Sequence, residues 1–153
     1  MPKRSKEDTE VTVQTIMDAV VDQLIRLGYD KMSYTTLSQQ TGISRTGISH
    51  HFPKKTDFAS SLDDRIFNIM VSHLDFSHSL DTFVESWQEA LMNEEFIALL
   101  RLVFHHIVSA DRGYHFGKET LERLFATTKQ HFGDASIENV KCLMGESLLA
   151  MSA

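Results

Sequence analysis

Cysteine, proline and, in one stretch, carboxylates are scarce in this chain, and each scarcity excludes something. One cysteine, Cys142, among 153 residues rules out an internal disulfide, so a reducing compartment, the cytoplasm, is the expected location. No apolar run approaches the ~20 residues that span a bilayer, so no membrane partner is expected. The opening Met1-Pro2-Lys3-Arg4-Ser5-Lys6 lacks the apolar centre of a secretory signal. Proline stands only at positions 2 and 53, which leaves long stretches open to helix. Neither His-Glu-x-x-His nor Cys-x-x-Cys spacing occurs, nor a phosphate-cradling glycine loop, nor a Gly-x-Ser-x-Gly elbow. Catalytic, metal and cofactor sites are therefore not expected. His105 and His106 are adjacent, which on a helix points them ~100° apart and prevents chelation.

The most informative absence is local. From Lys31 to Thr56 there is no Asp or Glu, although the chain holds 21 of them. A surface that lies on phosphates cannot keep carboxylates at the contact, because each would repel the nucleic-acid backbone and forfeit counterion release. Charge also divides along the chain. Residues 1–60 carry eight basic and seven acidic side chains, a net +1, whereas residues 61–153 carry seven and fourteen, a net −7. An acidic body disfavours indiscriminate wrapping on nucleic acid and leaves recognition to the N-terminal part.

Two short helical patterns lie inside the acid-free stretch, over 34–41 and 45–51. Gly42 suits the left-handed residue that ends the first, and Ser44 suits the cap that starts the second. Helix, tight glycine turn and helix are the parts of a helix-turn-helix. Leu37, Ile43, Ile48 and Phe52 are the apolar pegs between them. Around the pegs stand short polar or basic residues, the types that contact phosphate oxygens. A solvated polar helix pair is the alternative reading of the same residues; the turn, the pegs and the missing acids together favour DNA.

The stretch resembles the DNA-binding domain of TetR-family regulators. The match runs through Leu37-Ser38-Gln39-Gln40-Thr41-Gly42-Ile43-Ser44, then Arg45, then His50-His51-Phe52 and Lys55, with Thr56-Asp57-Phe58 at the start of the next helix. The whole sequence is also similar to the short LuxT-type regulators. The resemblance implies an all-α fold, with an N-terminal helix-turn-helix domain over 8–60 and a helical dimerisation and ligand-binding domain over 61–153. It implies a transcriptional regulator, a repressor, that binds a palindromic operator in double-stranded DNA as a homodimer. Carried onto this sequence, Arg45 and Thr46 are the candidates for base edges, Gly47 permits close approach, and Thr35 is within reach of a base. Ser33, Ser44, Ser49, His50, His51 and Lys55 complete the DNA-binding set. Ser49 stands where the family usually has a phosphate-anchoring tyrosine, which shifts that task toward the two histidines. A helical protein–protein adaptor with a vestigial head is the alternative function. A small enzyme pairing His105 or His106 with Glu94 or Glu95 lacks a nucleophile and anything to orient the pair.

Apolar spacing of three and four predicts the remaining helices. The first covers about 8–27 and stops at Gly28, preceded by a flexible basic tail over 1–7. A single long helix from Thr56 carries Phe58, Leu62, Ile66 and Met70. Ser79 caps the next, Asn93 opens one over 94–109, Gly113 and Gly117 bracket a loop, and 118–132 ends at Gly133. Ser136 caps the last. Aromatic and Met residues of the body, Phe83, Trp87 and Phe96 among them, either line a pocket for a small apolar effector or fill the core, the commoner use of such spacing. The dimer face is expected on the final two helices, at Leu121, Leu124, Phe125, Leu143, Gly145 and Leu148.

Overall fold

The computed structural model describes residues 5–109 and 115–153. The fold is all-α, and among the described residues there is no strand. The helices are α1 (Lys6–Arg26), α2 (Tyr34–Thr41), α3 (Arg45–His51), α4 (Thr56–Ser61), α5 (Asp63–Ser72), α6 (Leu80–Ala90), α7 (Glu94–Val108), α8 (Phe116–Phe132) and α9 (Ser136–Met151). They form two compact units, Met1–Leu62 and Asp63–Ala153.

In the first unit α1 lies against α2, and α2 against α3. The serine caps are the local cause of the short helices. Ser33 Oγ accepts from the Thr36 amide while the Ser33 amide donates to the Thr36 hydroxyl, a reciprocal capping box. Ser44 accepts from the Gly47 amide. Gly42, at φ 74°, closes α2 in the left-handed conformation, where a Cβ would be strained. Ile16, Val20, Leu24, Leu37, Ile48, Phe52 and Phe58 fill the small core between these helices. Burying each such side chain contributes about 1.5–3 kcal/mol.

A polar network that the apolar pattern does not disclose also joins α1 to α2. Gln23 is almost wholly buried (2 % exposed). Its amide donates to the Thr36 carbonyl at 3.0 Å and to Gln40 Oε1 at 2.8 Å. Its own carbonyl accepts from the Thr36 hydroxyl at 2.6 Å. A buried amide of this kind is tolerated because its donors and acceptor are matched.

In the second unit α7 runs against α8, α8 against α9, α5 against α7 and α8, and α6 against α9. Phe83, Trp87 and Phe96 are buried, with Trp87 edge to face against each of the two phenylalanines, the arrangement aromatic quadrupoles prefer. Trp87 Nε1 donates to the Ser147 hydroxyl at 2.9 Å, and Ser147 in turn donates to the Leu143 carbonyl.

Four expectations need correction. The helix predicted from Thr56 is two helices: the Leu62 amide bonds Ala59 three residues back, and Leu62 leaves helical geometry at φ −114°, ψ 10°. Asp63 then takes the Asp64 amide on its side chain, which favours a fresh start over continuation. Gly117 is no loop boundary but the second residue of α8, seated on the backbone of α7. A Cβ there would lie 2.7 Å from the Val103 carbonyl oxygen and 2.8 Å from the Ile107 amide. Ser136 does not cap α9; it is the first helical residue, and its buried hydroxyl donates back to Gly133. Helix α1 begins earlier than expected, at Lys6, because Ser5 caps it through the Asp8 amide, with Glu7 and Asp8 in the first turn. Positions 1–4 and Gly113 lie outside the described residues.

Candidate nucleic-acid interface

The residues singled out in the helix-turn-helix fall into two groups by what their side chains already do. Thr35, Arg45, Thr46 and His50 are exposed, with no folding task visible in their hydrogen bonds. Arg45 and Thr46 open α3, where side chains project beyond the helix end. With Tyr34 and Ser49 they line an open groove of about 420 Å³. Its walls carry a guanidinium and three hydroxyls, groups that serve base edges and phosphates alike.

Ser33, Ser44 and Ser49 belong to the second group. Ser33 and Ser44 spend their hydroxyls on helix caps, and the Ser49 hydroxyl donates to the Thr46 carbonyl at 3.1 Å. Gly47 has a local reason to lack a side chain. A Cβ would come within 3.1 Å of Ile43 Cγ2 and 3.2 Å of Ser44 Oγ, so its absence lets α3 start tightly against the turn. His50 and His51 stand edge to face, centroids 5.1 Å apart, in the last turn of α3.

The turn after α3 is held from three sides. The Tyr34 hydroxyl donates to the Phe52 carbonyl at 2.5 Å. Asp57 accepts the Lys54 amide at 2.8 Å. Lys55 donates to the Tyr29 carbonyl and lies over the Tyr29 ring, 4.2 Å from its centroid. Burial lowers the pKa of the Lys55 ammonium, with Asp30 opposing the shift. Burial also raises that of the Tyr34 phenol, and Asp57 adds to it. Of these contacts, only the pegs were readable from spacing. The Tyr34, Gln23 and Lys55 bonds join residues far apart in the chain.

In the second unit, the residues expected at a dimer face divide differently. Leu124 and Leu143 are buried inside the unit and are therefore core, not face, residues of this chain. Leu121 and Phe125 are partly exposed, and Gly145 and Leu148 are exposed. Leu148 and Leu149 show 52 % and 73 % of their surface, and a Cβ on Gly145 would meet nothing within 4 Å. The histidine–carboxylate pairing weighed from the sequence takes another form. Glu95 is engaged by His73 at 2.7 Å, while His106 is buried against Phe116 with Nδ1 on the Leu102 carbonyl. Among the described residues no three His, Cys, Asp or Glu gather as a metal set, and no helix is long and apolar enough to cross a membrane.

Residues 63–151 match the family model described as the tetracycline repressor LuxT C-terminal domain. No curated protein matches the chain. The matched span lies on the second unit, beyond the helix-turn-helix.

Proposed function

The chain belongs to the family of tetracycline-repressor-type regulators with a LuxT C-terminal domain, and from that premise we propose that it is a sequence-specific DNA-binding repressor acting as a homodimer in the cytoplasm. The observation that carries this is the acid-free, doubly capped helix pair whose second helix presents Arg45 and Thr46 unencumbered at its start. In this reading 8–60 is the DNA-binding domain and 61–153 the dimerisation domain. Arg45 and Thr46 address base edges in the major groove, Arg45 by the bidentate geometry that suits guanine O6 and N7. Gly47 keeps the helix start close to the duplex. Ser49, His50, His51 and the basic turn after α3 address the backbone, Thr35 is within reach of a base, and the capped N-termini at Ser33 and Ser44 orient both helices toward the duplex.

A dimer follows from the economy of operator reading: two heads on half-sites one helical turn apart recognise a palindrome. Its face is placed on the exposed sides of α8 and α9, at Leu121, Phe125, Gly145, Leu148 and Leu149. The packing of Trp87 against Phe83 and Phe96 supports a filled core for these residues over a pocket for a small apolar effector.

Selection of genomic fragments by the purified chain tests the proposal. Enrichment of a two-fold symmetric site, held at physiological salt, supports it. Retention no tighter than the nonspecific ~10⁻⁴–10⁻⁶ M range refutes it and leaves a helical protein–protein adaptor with a vestigial head.

A further inference from the structure

Resting on the reading of the first unit as a DNA-binding head, we propose that its two adjacent lysines divide the work. Lys54 supplies a phosphate contact. Lys55 is a positioning residue that staples the α1–α2 connection to the turn after α3.

The family resemblance places Lys55 in the DNA-binding set, but its ammonium is already engaged twice. It donates to the Tyr29 carbonyl, a residue 26 positions away, and it sits over the face of the Tyr29 ring. The side chain is half-buried where Lys54 is exposed. To meet a phosphate, Lys55 would leave a charge-assisted hydrogen bond and a cation–π contact together. Its depressed basicity agrees with a charge withdrawn from water.

Lys54 is arranged the opposite way. Its backbone is fixed, because Asp57 accepts the amide, while among the described residues its ammonium has no hydrogen bond or ion pair. Tyr34 and Lys55 pin the turn on either side of it. A free charge on an immobilised backbone, three residues after the histidines that end α3, is what a backbone contact requires.

Salt dependence separates the two roles, since only a charge that displaces counterions enters the slope. Lys54→Gln and Lys55→Met, in the full chain, are compared with wild type on a mixed-sequence duplex and in thermal unfolding. Lys54→Gln should flatten the slope of log K against log salt by about 0.9 for each head bound, about 1.8 for a dimer with both heads on the duplex, and leave Tm unchanged. Lys55→Met should keep the slope, weaken binding to every duplex and lower Tm. Lys55→Arg, which keeps a donor and a cation over Tyr29, should recover most of that Tm. A flattened slope with unchanged Tm in Lys55→Met, or an intact slope in Lys54→Gln, overturns the proposal. Should the wild-type chain bind no duplex at all, the DNA-binding reading fails by itself. The Lys55→Met Tm then decides the staple alone: a fall sustains it and no change removes it.

Discussion

The Tyr34 hydroxyl donates to the carbonyl of Phe52 at 2.5 Å, joining the first residue of α2 to the residue that closes α3. The Tyr34 ring also lies 5.5 Å from that of Phe58, and Phe58 lies 5.0 Å from Phe52. A single side chain thus fixes the angle of the helix pair with one polar and one apolar contact. Tyr34 borders the same groove as Arg45, Thr46 and Ser49, so the scaffold and the reading surface meet at this residue.

Tyr34→Phe keeps the ring and removes only the bond, leaving a carbonyl without its donor. The expected cost is about 1–2 kcal/mol by chemical denaturation. The phenol pKa is raised in the folded state, chiefly by burial. Its contribution is therefore complete below the unfolded value of about 10 and is lost as pH rises above it. The stability gap between wild type and Tyr34→Phe should narrow as pH passes about 10. A gap independent of pH would show that the phenol titrates alike in both states.

Gly117→Ala tests the close crossing of α7 and α8. Alanine is the better helix former by about 1 kcal/mol, so propensity alone predicts stabilisation. The new Cβ, however, would meet the Val103 carbonyl and the Ile107 backbone at 2.7–2.8 Å, and backbone does not move aside as a side-chain tip does. A net loss of about 1–3 kcal/mol is expected, measured as a lower midpoint in urea.

Gly145→Ala is the complementary case. No atom stands within 4 Å of its Cβ position, so within one chain the substitution should stabilise α9 by roughly 1 kcal/mol. If Gly145 lies at a helix crossing between two copies, the methyl group should weaken the dimer instead. Sedimentation equilibrium reads the difference: a raised dissociation constant places the crossing there, and an unchanged one moves the interface elsewhere.

What the sequence discloses follows the range of the interaction involved. Ser33, Ser44, Ser79 and Asn93 are recognisable as caps because a cap is settled within three residues, and Gly42, Gly28 and Gly133 because a positive φ is a local demand. Gly117 is ambiguous in the sequence for a physical reason. Glycine serves both to turn the chain and to admit a neighbouring backbone, and only the position of α7 distinguishes them. Gln23 looks like a surface residue until Thr36 and Gln40 surround it. Ser136 has the composition of a cap, yet the chain has already turned helical at Ala135 (φ −61°, ψ −24°). The break at Leu62 leaves no mark in an apolar spacing that runs on from Phe58 to Met70. At the candidate interface, exposure of Arg45 and Thr46 follows from their place just after the cap. The occupation of Lys55 by Tyr29 is a contact between distant segments that no motif encodes.

The most direct test of operator reading is the specificity ratio, the affinity for the selected site over that for a scrambled duplex at one salt concentration. For a specific reader the ratio is about 10³ or more. Arg45→Ala should lower it by the equivalent of about 1–3 kcal/mol for each half-site, relaxing preference at one base pair in each with no change in Tm, because the side chain is exposed. A ratio near one for the wild-type chain, or an Arg45→Ala variant that discriminates as well as wild type, would contradict recognition through the start of α3.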